Sequence, residues 1–151
     1  PIPAEDGGRH GQRLNQHALE SLHLMHIAAA ADRVDLNVEA AYRTVAQSMA
    51  AFAADPNPQA RAAGLSSHNL GLAIDFQMST GEQQYEETTT RPMSNVVDMR
   101  RSAVYKWLFI NASRFGWYPW HNEPWHWEYN PPGFRERFRG GMNPTPRSNV
   151  E

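Results

Sequence analysis

The sequence predicts one α+β domain in which helices pack on one side of a small, mainly antiparallel sheet. Its 151 residues match the usual size of a single domain. Residues 12–33 carry apolar side chains three and four positions apart, which is typical of an amphipathic helix. Residues 117–129 are rich in aromatic side chains and interrupted by two prolines, which favours short strands. We expect the domain to span residues 1–130, including an irregular lead-in at 1–11, and a Pro/Gly-rich tail to follow at 131–151.

The other elements are predicted from local periodicity. Residues 35–43 alternate apolar and polar side chains and predict a short, half-buried strand. Residues 44–54 predict a second helix that stops at a proline cluster, and the apolar run at 72–76 predicts another strand. Residues 78–95 are polar with little periodicity and predict a long surface loop. Residues 102–115 are apolar nearly all round and predict a buried helix.

Composition excludes several classes of function. The formal net charge is −2, with 14 Lys and Arg against 16 Asp and Glu, so nucleic acid is not an expected partner. The chain has no cysteine, and any metal must therefore be bound by His, Asp or Glu. No apolar stretch approaches the roughly 18 residues of a membrane span, and we expect no membrane insertion. The chain starts at Pro1 without a signal-peptide pattern, which favours an excised domain or a processed form.

Three residues have the chemistry of a catalytic zinc site. His68, Asp75 and His126 are zinc ligand types, and three protein ligands leave the fourth tetrahedral position to water. On one straight strand His68 and Asp75 would face opposite ways, and on one helix they would lie roughly 10 Å apart. A turn at Gly71 between them would bring the two side chains together. Taken singly, the three residues are better explained as a core histidine, a solvated turn aspartate and a strand histidine, so the prediction depends on the pattern.

The pattern resembles a known family. SSHNLGLAID followed by EPWH resembles the zinc D-alanyl-D-alanine carboxypeptidases of the VanY and VanX type, whose signature reads SxHxxGxAxD and then ExxH. Two flanking segments, AYRTVAQ and YKWLFINASRFGWYP, agree with the family in order, and the resemblance covers residues 14–129. The positions that match the signature are Ser66, His68, Gly71, Ala73, Asp75, Glu123 and His126.

The resemblance implies a role for each member of the centre. His68, Asp75 and His126 would bind one zinc ion, and Glu123 would act as general base. Arg43 would hold the substrate carbonyl oxygen as it becomes an oxyanion. The implied fold is that of the lysostaphin and Hedgehog-like group, with the zinc in an open cleft on the sheet.

Three further residues are expected to contact substrate. Ser66 and Gln47 would bind the terminal carboxylate of a peptide. His121 would contact the substrate, with support of a metal ligand or simple exposure as the alternatives. The predicted loop at residues 78–95 would line the substrate groove.

The reaction that the resemblance implies is hydrolysis of peptidoglycan stem peptides, with loss of the C-terminal D-amino acid from D-Ala-D-Ala. Two other enzymes share the same centre: an L,D-carboxypeptidase, and an endopeptidase of the kind found in endolysins and antibacterial effectors. A non-catalytic, zinc-containing binding module is a further alternative, and Glu123 favours an enzyme over it. Each enzyme would act in the bacterial periplasm or cell wall, with a stem peptide as partner.

Overall fold

The fold combines helices with a small four-stranded antiparallel sheet, as predicted, and adds a separate two-stranded hairpin. The computed structural model describes residues 1–54, 66–80, 83–85, 93–120 and 123–134. The helices are Gln16–Ala31 (α1), Val45–Ala54 (α2), Met93–Met99 (α3) and Ala103–Asn111 (α4), with 3-10 helices at Ala4–Asp6, Ser67–Leu70 and Ala112–Phe115. The strands are Val38–Ala40 (β1), Ala73–Phe76 (β2), Met78–Thr80 (β3), Gln83–Tyr85 (β4), Trp117–Trp120 (β5) and Glu123–Tyr129 (β6).

The main sheet places β6 beside β2. Its strand order is β1-β2-β6-β5 with every pair antiparallel, while β3 and β4 form a separate hairpin. Strands β2 and β6 thus lie in the middle of the sheet, where both edges of each strand are hydrogen-bonded. Side chains on this pair are held more firmly than those on an edge strand.

Helix α1 packs on the sheet through the stripe that its sequence predicts. The side chain of Asn15 caps the helix by accepting a hydrogen bond from the His17 amide, which satisfies one of the free amides of the first turn. The residues buried on its inner side recur at intervals of three and four: Ala18, Leu22, Met25 and Ala29. They join α4 and one face of the main sheet in a single core.

The two faces of the central strands have different chemistry. Ile74 of β2 is paired in register with Trp127 of β6, and both are buried in the core. The adjacent residues Asp75 and His126 are paired with each other and point to the opposite face. A slip of one residue would exchange the two sets, at roughly 1.5–3 kcal/mol for each large apolar side chain exposed. Core packing therefore fixes which face carries the polar pair.

The predicted loop at residues 78–95 is wrong in part. Met78 is buried and opens the β3–β4 hairpin, and helix α3 begins at Met93. The helix buries Val96 and Met99, which lie three residues apart on one side. A pattern of only two buried residues within a polar stretch is too short to stand out as a helix. Residues 81–82 and 86–92 lie outside the described residues.

Helix α4 is buried on one side only, which corrects the expectation of a helix buried all round. Trp107 and Leu108 face the core, whereas Phe109 and Ile110 are 51% and 73% exposed. Apolar composition predicted the helix but could not predict that no described element covers its outer side. None of the helices in the described ranges is long and apolar enough to cross a membrane.

Both ends of the described chain pack more closely than predicted. In the lead-in, Ile2 is buried in the core, and its amide donates to the Gln12 carbonyl at 2.7 Å. At the start of the predicted tail, Phe134 is buried and its ring lies edge-on to those of His17 and Tyr129. The rest of the predicted tail, residues 135–151, lies outside the described residues.

Candidate metal centre

Asp75 and His126 meet because they are direct cross-strand partners. They occupy the same register position of β2 and β6, and side chains opposite each other in an antiparallel pair lie on one face. The Asp75 carboxylate and the His126 Nδ1 atom are 2.8 Å apart. Both side chains are buried, at 2% and 10% exposure.

His68 reaches the same point through the turn at Gly71. Residues Ser67–Leu70 form a 3-10 helix whose first amides are capped by the Ser66 side chain. The helix ends at Gly71 with φ +68°, a left-handed conformation that only glycine adopts without strain. A Cβ atom there would lie 2.6 Å from the Asn15 nitrogen. The expected bend between His68 and Asp75 is confirmed.

The three side chains converge at distances that suit one small metal ion. His68 Nε2 is 3.2 Å from His126 Nδ1 and 3.2 Å from Asp75 Oδ2. All three residues are buried, and a ligand atom of each lies within 4.8 Å of the others. Ligands about 2.0–2.1 Å from a tetrahedral zinc lie roughly 3.3 Å from one another. The spacing of these three residues, called the triad below, is compatible with one tetrahedrally bound metal ion.

Hydrogen bonds on the outer sides of both imidazoles orient them toward this point. His68 Nδ1 donates to the Ala41 carbonyl at 2.7 Å, and His126 Nε2 lies 2.9 Å from the Glu128 carboxylate. In their neutral forms both rings then present an unprotonated nitrogen to Asp75. The nitrogens of the two imidazoles and the carboxylate of Asp75 are then three acceptors that face one another. Such a group requires a cation between its members, which is a metal ion or a proton.

The pKa values of the pair show that a proton competes for this place. Burial alone would raise the pKa of Asp75, but the charge of His68 and hydrogen bonds from both imidazoles hold it well below its ordinary value. Burial alone would lower the pKa of His126, but its hydrogen bonds to Asp75 and Glu128 raise it well above the ordinary value. Both shifts favour a protonated His126 beside an ionised Asp75.

Arg43 and Glu123 both lie at the edge of the cluster. Arg43 Nη2 is 3.0 Å from Asp75 Oδ2, and its side chain is 27% exposed. Its backbone is joined to the ligand loop on both sides, since its amide donates to His68 O and its carbonyl accepts from the Asn69 side chain. Glu123 Oε2 is 3.8 Å from His126 Nδ1, and its side chain is 19% exposed. A guanidinium and a carboxylate thus lie within 4 Å of different members of the triad.

The three residues expected to contact substrate have different surroundings. Ser66 is half-buried beside His68, where its hydroxyl caps the 3-10 helix. Gln47 is exposed on α2, and its side-chain oxygen accepts from the Thr44 amide while the Thr44 hydroxyl accepts from the Gln47 amide. This reciprocal pair is a helix cap, so the Gln47 side chain is hydrogen-bonded within its own helix in this structure. His121 lies outside the described residues.

Glu128 is a residue of the centre that motif matching did not select. The sequence does contain a signal for it, because side chains two apart on a strand share a face. The backbone carbonyl of Ala41, which orients His68, has no such signal, since its position depends on the path of the chain between β1 and α2.

Comparison with known proteins agrees with this geometry. The family model for VanY, D-alanyl-D-alanine carboxypeptidase, matches residues 11–132. One similar solved structure is a mutant of the vancomycin-resistance D,D-pentapeptidase VanY from a VanB-type cassette, in complex with Zn(II). It is 25% identical with a TM-score of 0.54, and the match covers 94% of this chain and 90% of that one. No curated protein matches the sequence.

Two further solved structures share the fold. VanYB in complex with D-alanine-D-alanine is 23% identical with a TM-score of 0.57, over 87% of this chain and 80% of that one. The LD-carboxypeptidase LdcB is 20% identical with a TM-score of 0.63, over 93% and 72% of the two chains. The family match covers most of the sequence and contains all three residues of the triad. The chain belongs to the VanY family of D-alanyl-D-alanine carboxypeptidases.

Proposed function

We propose that this chain is a zinc-dependent peptidoglycan carboxypeptidase that removes the C-terminal D-amino acid from stem peptides ending in D-Ala-D-Ala. The observation that carries the proposal is the convergence of His68, Asp75 and His126 in the buried triad, with Glu123 at its edge. The VanY structures solved with Zn(II) and with D-alanine-D-alanine support the metal and the substrate.

In this proposal His68, Asp75 and His126 hold one zinc ion. When bound, the ion polarises the scissile carbonyl and lowers the pKa of a coordinated water to about 7. The residues fit this task because two imidazoles and one carboxylate leave a coordination position open.

Glu123 acts as the general base and then as the general acid. Its carboxylate takes a proton from the attacking water as the new bond between oxygen and the carbonyl carbon forms. When the C–N bond breaks, the same group returns the proton to the leaving amine of the D-amino acid. The 3.8 Å distance between Glu123 Oε2 and His126 Nδ1 supports this role, because it brings the carboxylate next to a proposed metal ligand.

Arg43 stabilises the oxyanion of the tetrahedral intermediate. Its guanidinium lies against Asp75, and it is exposed enough to meet a peptide carbonyl at the mouth of the cluster. Losing one such donor typically lowers the rate about 100- to 1000-fold. We assign recognition of the substrate's terminal carboxylate to Ser66 and Gln47, and a substrate-facing role to His121.

The substrate places the reaction outside the cytoplasm, in the periplasm or cell wall. We propose that residues 1–130 form the peptidase domain and that residues 131–151 form a tail.

A muropeptide digest analysed by mass spectrometry tests the proposal. We expect the zinc-loaded protein to shorten pentapeptide stems by one D-alanine, and a chelator to stop the reaction. Glu123→Gln should bind zinc normally but turn over about 10²- to 10⁴-fold more slowly, because only the proton transfer is lost.

Other products would contradict the proposal in distinct ways. Shortened tetrapeptides with intact pentapeptides would indicate an L,D-carboxypeptidase, and split dimers an endopeptidase. Zinc binding with no cleavage of any muropeptide would indicate a binding module.

A further inference from the structure

Glu128 touches a residue of the triad but has no part in the reaction described above. We propose that Glu128 is a positioning residue: it holds the His126 imidazole with Nδ1 toward the metal and strengthens the bond between that nitrogen and the metal. This inference rests on the proposed zinc site.

The geometry of β6 gives Glu128 this position. It follows His126 by two residues on the same face of the strand, and its Oε1 atom is 2.9 Å from His126 Nε2. Its cross-strand partner in β2 is Ala73, whose small side chain leaves room on that face. The Glu128 side chain is 12% exposed, so water competes little for the hydrogen bond. With Nε2 held in this way, Nδ1 faces Asp75 and His68.

The two imidazoles are anchored by acceptors of different strength. His68 donates to the neutral carbonyl of Ala41, whereas the acceptor for His126 is an ionised carboxylate. A hydrogen bond to a charged acceptor is roughly twice as strong as a neutral one. It also draws the Nε2 proton away from the ring, which makes Nδ1 a better electron donor to a metal. We therefore expect His126 to be the more strongly binding imidazole.

The charge of Glu128 also favours a bound cation. Its carboxylate lies beside His126, and the carboxylates of Asp75 and Glu123 lie close to the same imidazole. A negative charge this close to a buried cation stabilises it, so loss of Glu128 would weaken metal binding.

The zinc affinity of the whole chain tests the role of Glu128. It is measured with zinc alone, by competition against a chelating dye. We expect Glu128→Ala to lose about 10- to 100-fold in affinity, the usual effect of removing such a partner. Glu128→Gln should lose less, because its amide oxygen can still accept the hydrogen bond from Nε2. The matched control is Glu39→Gln, which alters a half-buried β1 carboxylate bound to Arg9 and Gln77. Its affinity should equal that of the wild type.

Nitrogen NMR of ¹⁵N-labelled histidine provides a readout that a purely structural role would not change. In the zinc-loaded wild type we expect His126 to be metal-bound through Nδ1 and protonated at Nε2. Glu128→Gln should keep this tautomer. The inference would be overturned if the zinc affinity of Glu128→Ala were within twofold of the wild type, or if His126 bound the metal through Nε2. Either result would leave the zinc site itself intact. Equal zinc binding by the wild type and His68→Ala would instead overturn the proposed site itself.

Discussion

At the residue scale, the centre depends on how each ligand atom is oriented. Both imidazoles could bind a metal through either nitrogen, and the choice is made by Ala41 on one side and Glu128 on the other. The carboxylate of Asp75 is shared between the two imidazoles and Arg43. The chemistry of the site is thus set by hydrogen bonds to atoms that do not themselves bind the metal.

The raised pKa of His126 predicts that zinc binding at pH 7 releases about one proton, because this imidazole must lose its Nδ1 proton before it can bind the metal. Below the pKa of His126, zinc affinity should fall roughly tenfold for each unit of pH from this group alone. Isothermal calorimetry in buffers of different ionisation enthalpy measures the proton count. A binding enthalpy at pH 7 that is the same in every buffer would contradict the prediction.

At the element scale, the short segment from Ser66 to Gly71 has the backbone conformation on which the site depends most. It turns the chain back so that a histidine ahead of β2 meets an aspartate within β2. The turn is packed against the start of α1, since the Asn15 amide donates to the Gly71 carbonyl at 2.9 Å. The position of His68 therefore depends on both the sheet and α1.

Replacement of Gly71 by alanine should damage the centre. Both the left-handed backbone and the contact with the Asn15 nitrogen oppose a Cβ atom. The backbone strain alone is worth about 1–2 kcal/mol. The control is Gly11→Ala, at φ +69° but with nothing within 4 Å of the added atom. Chemical denaturation and zinc titration measure the two effects. Gly71→Ala should lose more stability than the control and should also lose zinc affinity. Equal stability losses in the two variants, with unchanged zinc affinity, would argue against a role of Gly71 in positioning His68.

The elements nearest the centre were predictable, and the reasons are local. The stripe of α1, the apolar run of β2 and the aromatic alternation of β6 each produce a strong periodic pattern, so these elements and the two faces of β6 follow from sequence. The hairpin and α3 do not, because their few buried residues lie in a polar stretch. The spacing of two residues along β6 puts Glu128 on the same face as His126, whereas the Ala41 carbonyl depends on the folded arrangement and no residue pattern identifies it.

At the scale of the whole molecule, the centre joins parts of the chain that are far apart in sequence. His68 and His126 are separated by 58 residues, and their side chains are in contact in the fold. The triad connects the loop before β2 to the middle of the sheet. A metal bound there would link these parts in the folded state only.

Zinc should therefore stabilise the fold. At a free concentration about 100 times its Kd, a ligand bound only by the folded state adds about 2.7 kcal/mol to the free energy of unfolding. For a chain of this size that corresponds to a rise in Tm of roughly 5–10 °C. Calorimetric melting with zinc and with a chelator measures the rise, and His68→Ala should show none. An equal rise in that variant would place the stabilising zinc elsewhere.

The double attachment of Arg43 couples its backbone to the loop that carries His68. The Arg43 amide donates to His68, and its carbonyl accepts from the Asn69 side chain. A substitution that moves this loop would therefore displace the arginine and the histidine together, so a fault in one segment would affect two members of the proposed site.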